Sequence, residues 1–197
     1  MKLTRLALPV VAAAVLAAPT AAYAATITHS DPAGDVGMID LSTTNGSVTP
    51  APDRTNGDIV ATRLTYVGST VKVKVRFRDL ARQGSMITEL AIKTGRSFRY
   101  VDVTARPGTY FGKLTMTTHA DKAVTCGGTT HEIDYTANTV LITVPAKCLG
   151  TPIAPWVRIG VGEITTDNGF RTAYGDDART SGDLSANDLI LSPRIYR

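Results

Sequence analysis

One alternating segment, residues 69–80, constrains the fold of this chain more than any other stretch. Its sequence, STVKVKVRFRDL, alternates between apolar and basic residues. Because successive side chains of a β-strand point to opposite faces, the alternation predicts a long strand with one apolar and one cationic face. The apolar face consists of Val71, Val73, Val75 and Phe77. The cationic face consists of Lys72, Lys74, Arg76 and Arg78.

The remaining sequence predicts more short strands separated by turns. The expected strands are 25–30, 36–41, 58–67, 86–93, 97–104, 110–118, 122–126, 139–145 and 156–161, with 189–191 and 194–196 as a closing edge. Clusters of Gly, Pro, Asn and Asp separate them at intervals of roughly ten residues. Residues 42–57 predict a loop or an irregular edge, and residues 79–84 predict one helical turn. The pattern is typical of an all-β protein with an antiparallel, jelly-roll-like β-sandwich, and a closed antiparallel barrel is the alternative.

The first 24 residues predict a secretory signal peptide. Lys2 and Arg5 precede an apolar run over 6–18, and Ala22-Tyr23-Ala24 forms a small-x-small cleavage site. The apolar run is too short to span a bilayer comfortably, and no second run approaches that length. We therefore expect a secreted, extracellular protein without a membrane span, in which residues 25–197 form a single β-sandwich domain.

Charge is distributed unevenly along the chain. The whole sequence carries +4, and removal of the two basic residues of the signal peptide leaves 19 basic against 17 acidic residues, or +2. This near balance argues against a nucleic-acid partner. Residues 72–113 contain ten basic and three acidic residues, whereas most aspartates lie in the N-terminal and C-terminal loops. The partition is more informative than the total charge.

The cationic face has two interpretations. Lys72, Lys74, Arg76 and Arg78 are candidate ligand-binding residues for a glycan or an anionic cell-envelope polymer, such as teichoic acid or an acidic polysaccharide. Alternatively, they form the solvated outer face of a sandwich, partly paired with aspartates of adjacent strands. Interleaved aromatic residues would have favoured a polymer ligand.

The loop aspartates are candidate calcium ligands. Ca²⁺ takes six to eight oxygen ligands and tolerates irregular geometry, so side chains and carbonyls of loops can bind it together. The predicted ligands are Asp31, Asp35, Asp40 and Asp58. The alternative is that these aspartates are turn residues that cap their own backbone.

The two cysteines, Cys126 and Cys148, predict a disulfide bond. An even number of cysteines in an exported protein favours pairing, and the closed loop would contribute roughly 3 kcal/mol. Free thiols or half of a metal site are the alternative. The sequence has no CxxC motif and no nearby histidine pair at zinc-finger spacing.

Enzyme motifs are incomplete in this sequence. The segment 131–135, HEIDY, lacks the second histidine of the zinc-protease helix, and residues 95–99 fall one residue short of a nucleophile elbow. Trp156, the single tryptophan, is expected in the core rather than on a sugar-stacking platform. We therefore predict no catalytic residue. Two alternatives stay open: a secreted hydrolase with His119 or His131 near loop aspartates, and a structural or partner-binding envelope protein.

Four segments carry a resemblance to known proteins: DPAGD (31–35), NGDI (56–59), VKVKVRFRDL (71–80) and CLGTPIAPWVRIGVG (148–162). With these, the chain resembles uncharacterised exported β-sandwich proteins of high-GC Gram-positive bacteria. More distantly, it is similar to sandwich modules of the family 9 carbohydrate-binding and DOMON-like type. That resemblance implies a sandwich surface for a ligand and a structural calcium in some members. The paired tryptophans of the sugar-binding members and a methionine/histidine haem pair are missing from this sequence.

Overall fold

The computed structural model of the protein describes residues 25–42, 48–167, 171–180 and 189–197, so the predicted signal peptide lies outside the described residues. The described residues form thirteen β-strands, one short 3₁₀ helix and no α-helix. The strands are β1 (Ala25–Ser30), β2 (Gly37–Asp40), β3 (Val48–Pro50), β4 (Ile59–Val67), β5 (Thr70–Phe77), β6 (Ser85–Lys93), β7 (Phe98–Ala105), β8 (Lys113–Thr118), β9 (Thr130–Asp134), β10 (Thr139–Pro145), β11 (Trp156–Thr166), β12 (Thr172–Asp177) and β13 (Ile195–Tyr196). The 3₁₀ helix is Ala146–Leu149.

Two antiparallel sheets pack face to face. The five-stranded sheet has the order β1-β4-β5-β10-β9. The eight-stranded sheet has the order β3-β2-β12-β11-β6-β7-β8, and β13 pairs with the start of β11. The predicted all-β sandwich is therefore confirmed, and the alternative of a closed barrel is wrong. Among the described residues, no helix has the length and apolarity that crossing a bilayer requires.

The alternating strand β5 lies at the centre of the five-stranded sheet. Its apolar side chains, Val71, Val73, Val75 and Phe77, are at most 2% exposed. They pack against apolar side chains from both sheets, including Leu64, Tyr66, Leu90, Ile92, Ile142 and Ile159. Because β4 and β10 both pair with β5 in antiparallel register, the period of two places the basic residues on the outer face. The predicted inner face is confirmed.

The disulfide between Cys126 and Cys148 is confirmed, with an S–S distance of 1.95 Å and Cα atoms 5.7 Å apart. Cys126 follows β8 of the eight-stranded sheet, and Cys148 lies in the 3₁₀ helix after β10 of the five-stranded sheet. The bond therefore joins segments that leave different sheets.

Several elements differ from the sequence prediction. Strands β9 and β12 were not expected, because β9 has only two inward residues and β12 ends in Gly-Asp-Asp, which is a typical turn sequence. The predicted strand 122–126 forms only an isolated bridge between Thr117 and Ala123. Where one helical turn was expected, Asp79 forms an isolated bridge with Asn56 and residues 82–84 form bends, and residues 189–191 are not a strand. Instead, Leu189 packs against Gly160 and Gly162 of β11.

Candidate cation site and cationic sheet face

The turn after β1 places the first two candidate ligands at one end of the sandwich. Asp31 follows β1 in the five-stranded sheet, and Asp35 precedes β2 in the eight-stranded sheet. Between them, Gly34 adopts a positive φ of 83°, a conformation that glycine reaches without strain. Its amide donates a 2.8 Å hydrogen bond to Asp58 Oδ2. The turn therefore crosses between the sheets and is held against the start of β4.

Asp176 of β12 reaches the same place from the eight-stranded sheet. It lies directly opposite Glu163 of β11. Its Oδ2 atom accepts a 2.6 Å hydrogen bond from the amide of Ile59, the first residue of β4. The carboxylate is 1% exposed, and its Oδ1 atom has no hydrogen-bond partner among the described residues. One oxygen is therefore fixed by the opposite sheet, and the other is left without a partner there.

Asp31, Asp35 and Asp176 form a three-carboxylate cluster. Each offers an oxygen, and these oxygens lie within 4.8 Å of one another. Apart from the amide of Asp35 itself, no hydrogen bond from the described part of the chain reaches Asp35's carboxylate, and Asp31 Oδ2 is likewise buried without a partner. Three hard oxygen donors with buried, unsatisfied atoms form an arrangement that can bind a divalent cation of the calcium type.

The carboxylates of this cluster resist ionisation. Burial, together with the neighbouring carboxylates, raises the pKa of Asp31 to about 8 and the pKa of Asp176 to about 7. Burial also raises the pKa of Asp35. Glu163 is 1% exposed, and burial raises its pKa well above the ordinary range. Low local polarity and like charges favour the neutral forms, whereas the charge of a bound cation would favour the ionised forms.

Arg78 and Asp58 lie beside the cluster. Asp58 is fully buried, and Arg78 Nη1 lies 3.5 Å from its Oδ2 atom and 3.4 Å from the carbonyl oxygen of Pro52. Arg78 follows the last residue of β5 and is 44% exposed. The structure therefore separates Arg78 from the other three predicted ligand-binding residues and places it over the acidic end of the sandwich.

The fourth predicted calcium ligand, Asp40, lies elsewhere. It is exposed at the end of β2, and its Oδ1 atom accepts hydrogen bonds from the amide and the hydroxyl of Ser42, at 2.8 and 2.6 Å. These hydrogen bonds, mainly that of the hydroxyl, hold the pKa of Asp40 below its ordinary value. Asp40 thus acts as a turn residue, as the alternative interpretation of the aspartates expects. Of the four predicted ligands, the structure brings Asp31 and Asp35 together with Asp58 beside them.

The outer face of the five-stranded sheet carries Lys72, Lys74 and Arg76, all exposed on the central strand. Arg63 of β4 lies directly opposite Lys74. On the other side, each of these three cations has a residue of β10 directly opposite it in the same row across the sheet. Thr143 is opposite Lys72, Leu141 is opposite Lys74 and Thr139 is opposite Arg76. Neither neighbouring strand contributes a carboxylate opposite these cations, and among the described residues no ion pair involves Arg63, Lys72, Lys74 or Arg76. The expected partial pairing with aspartates of adjacent strands is therefore present at Arg78, which contacts Asp58 just before β4, and not at Lys72, Lys74 or Arg76.

His119, His131 and the tryptophan lie apart from these surfaces. His119 packs against Phe98 and Tyr100, and the His131 ring nitrogen Nε2 lies 3.0 Å from the carbonyl oxygen of Phe111. Within the described ranges, no hydrogen bond or ion pair joins either histidine to a carboxylate. Trp156 is half-buried beside a cleft of about 270 Å³, and the Arg194 guanidinium lies 4.4 Å from its ring centre.

Two residues of these surfaces were missed by the sequence prediction. Asp176 lies in a Gly-Asp-Asp segment that was interpreted as a turn, and Arg63 is a single basic residue in an otherwise uncharged strand. The accumulation of aspartates at both ends of the chain is the one sequence signal that indicated Asp176.

No protein-family model, curated protein or solved structure matches this chain.

Proposed function

We propose that this chain is an exported, non-catalytic binding protein that holds an anionic cell-envelope polymer on the outer face of its five-stranded sheet. The predicted signal peptide and the disulfide both support export, since disulfide bonds persist in oxidising compartments. The polymer class comprises teichoic acids and acidic polysaccharides.

The observation that carries the proposal is an exposed group of four cations without neighbouring carboxylates: Arg63, Lys72, Lys74 and Arg76. Arg63 and Lys74 face each other directly, and like charges in that position destabilise a sheet. Such an unfavourable local arrangement, kept at the centre of a regular sheet, is typical of a functional surface.

The geometry of the face suits a linear polymer with closely spaced anions. Alternate residues of one strand are about 6.8 Å apart, so Lys72, Lys74 and Arg76 form an evenly spaced row. Threonine hydroxyls lie beside the row, because Thr65 and Thr143 flank Lys72 on both sides. Hydroxyl groups and cations together can donate hydrogen bonds to phosphate or carboxylate oxygens.

The nearest carboxylates on this face stand on the edge strand β9. Glu132 shares a row with Lys74, and Asp134 shares a row with Arg76, with β10 lying between. Two strand spacings correspond to about 10 Å, which exceeds ion-pair distance and equals the screening length at moderate salt. These carboxylates therefore leave the cations accessible to a ligand.

A binding experiment with purified poly(glycerol phosphate) teichoic acid tests the proposal, and neutral dextran serves as the uncharged probe. The disulfide-bonded protein is expected to bind the teichoic acid and not the dextran. Raising the salt from about 50 to about 200 mM should weaken binding strongly, because released counterions drive association. The triple variant Lys72→Gln, Lys74→Gln, Arg76→Gln should bind about tenfold more weakly or worse.

A matched triple variant controls for net charge. Lys93, Arg106 and Lys113 are exposed cations on or beside the eight-stranded sheet, and their replacement by Gln removes the same total charge. This control should retain nearly all of the affinity. Equal losses in both triple variants would show that net charge alone attracts the polymer, and a wild-type protein that ignores teichoic acid at low salt would contradict the proposal.

A further inference from the structure

The carboxylate cluster at the end of the sandwich and the adjacent Asp58 contain buried oxygens that their described surroundings leave without hydrogen-bond donors. Asp58 and Asp176 are 0% and 1% exposed, and each has one oxygen without a hydrogen-bond partner in the described ranges. An uncompensated buried carboxylate is strongly unfavourable. Arg78 is the one cation in ion-pair contact with this end among the described residues, and its contact is with Asp58.

The hydrogen bonds of the cluster leave specific oxygens available. Backbone amides hold one oxygen of Asp176 through Ile59 and one oxygen of Asp58 through Gly34. The second oxygen of each carboxylate is buried, and no donor from the described part of the chain reaches it. Amides that fix one oxygen of a carboxylate also fix the direction of the other, which is how metal ligands are commonly oriented in proteins.

We infer that Asp31, Asp35 and Asp176 bind a divalent cation of the calcium class, and that this ion joins the two sheets at one end of the sandwich. Asp31 directly follows β1 of the five-stranded sheet. Asp35 lies just before β2 of the eight-stranded sheet, and Asp176 is part of β12 in that sheet. Asp58 is a positioning residue, because it holds the Gly34 amide and hence the turn that carries both N-terminal ligands.

The ligand chemistry favours calcium over other ions. All three ligands are carboxylates. Zinc and copper sites usually use histidine or cysteine, and no described histidine or cysteine belongs to this cluster. Oxygens up to 4.8 Å apart can share one ion at a ligand distance of roughly 2.4 Å, which is typical of calcium. Magnesium requires shorter distances and near-octahedral geometry. Pro32 and Ala33 of the same turn are exposed, so water can complete the coordination.

Thermal unfolding and calorimetric titration with calcium chloride alone test this inference independently of the polymer proposal. The intact protein, freed of metal with a chelator and held at about pH 8, should bind one calcium ion per chain. Its Tm should rise by about 5–10 °C when calcium reaches about 100 times its Kd. Magnesium at the same concentration should give a smaller shift.

The variants Asp176→Asn and Asp35→Asn should reverse the order of stability between the two conditions. In chelator, each variant should be at least as stable as the wild type, because one buried negative charge has been removed. In calcium, each should be less stable than the wild type, because a ligand is missing. Asp40→Asn is the matched control, since it removes an exposed carboxylate outside the cluster, and its calcium response should equal that of the wild type.

Two results would overturn the inference. One is a wild-type Tm and a titration that do not respond to millimolar calcium. The other is a calcium response of the same size in Asp35→Asn, Asp176→Asn and the wild type, which would place the ion elsewhere. The wild-type measurement decides the first point even if a variant fails to fold.

Discussion

At the scale of single residues, Gly34 shows how the acidic end depends on backbone conformation. Its positive φ of 83° turns the chain so that its amide meets Asp58. A β-carbon at this position would lie 3.1 Å from the carbonyl oxygen of Pro52. The position therefore requires glycine for two reasons, conformation and space.

Gly34→Ala is expected to destabilise the protein more than Gly68→Ala, a control at another turn. Gly68 also has a positive φ, of 56°, but a β-carbon there would meet no described atom within 4 Å. The control should lose about 1–2 kcal/mol of unfolding free energy from conformation alone, and Gly34→Ala should lose more because a backbone carbonyl must also shift. Chemical denaturation measures both, and equal losses would show that the Pro52 contact is unimportant.

At the scale of strands, a pair of like charges lies between β6 and β7. Glu89 and Asp102 are directly opposite each other, and burial raises the pKa of both, with the Asp102 carboxylate raising that of Glu89 further. The folded protein therefore retains protons at pH values where the unfolded chain has already released them. Stability should fall as the pH rises above the ordinary pKa values of 3.8 and 4.5.

Glu89→Gln should remove part of this pH dependence. Below about pH 3 the variant and the wild type should be equally stable, because both carboxyls are protonated whether the chain is folded or unfolded. At neutral pH the variant should be more stable by about 0.2–1 kcal/mol, since the opposed charges are gone. Glu132→Gln, which faces Leu141 across β9 and β10, should show no such gain. Chemical denaturation at several pH values measures the unfolding free energies of both variants and distinguishes Glu89→Gln from Glu132→Gln.

The strands also show which parts of the fold local sequence determines. The alternation of β5 could be recognised because its four apolar residues face one core and its basic residues face outward. Strand β12 could not, because Asp176 and Asp177 are buried there although aspartate is most frequent in turns. The three-carboxylate cluster was only partly predicted for the same reason. Asp31 and Asp35 share one turn, whereas Asp176 joins them only through the pairing of β12 with β11 and β2.

At the scale of the whole molecule, the disulfide joins segments that leave the two different sheets. Its cysteines are 22 positions apart, so the bond removes conformational freedom mainly from the unfolded chain. Replacing both Cys126 and Cys148 by Ser should lower the unfolding free energy by roughly 3 kcal/mol and the Tm by about 6–12 °C. Calorimetry of the double variant measures this, and a Tm equal to that of the wild type would contradict it.

The disulfide and the acidic cluster lie at opposite ends of the sandwich. Cys148 follows β10 at the end where Ala146 bonds to Ser69, before β5 begins, whereas Arg78 and Asp58 meet at the end where β5 stops. Separation of the two sheets can therefore begin at one end or at the other, depending on which end is released. A reductant would release one end, and a chelator would remove the proposed calcium ion from the other, so each treatment should leave the sheets joined at the end that was not released. Amide hydrogen exchange would then spread from the released end inward, and only the two treatments together would let both ends fray.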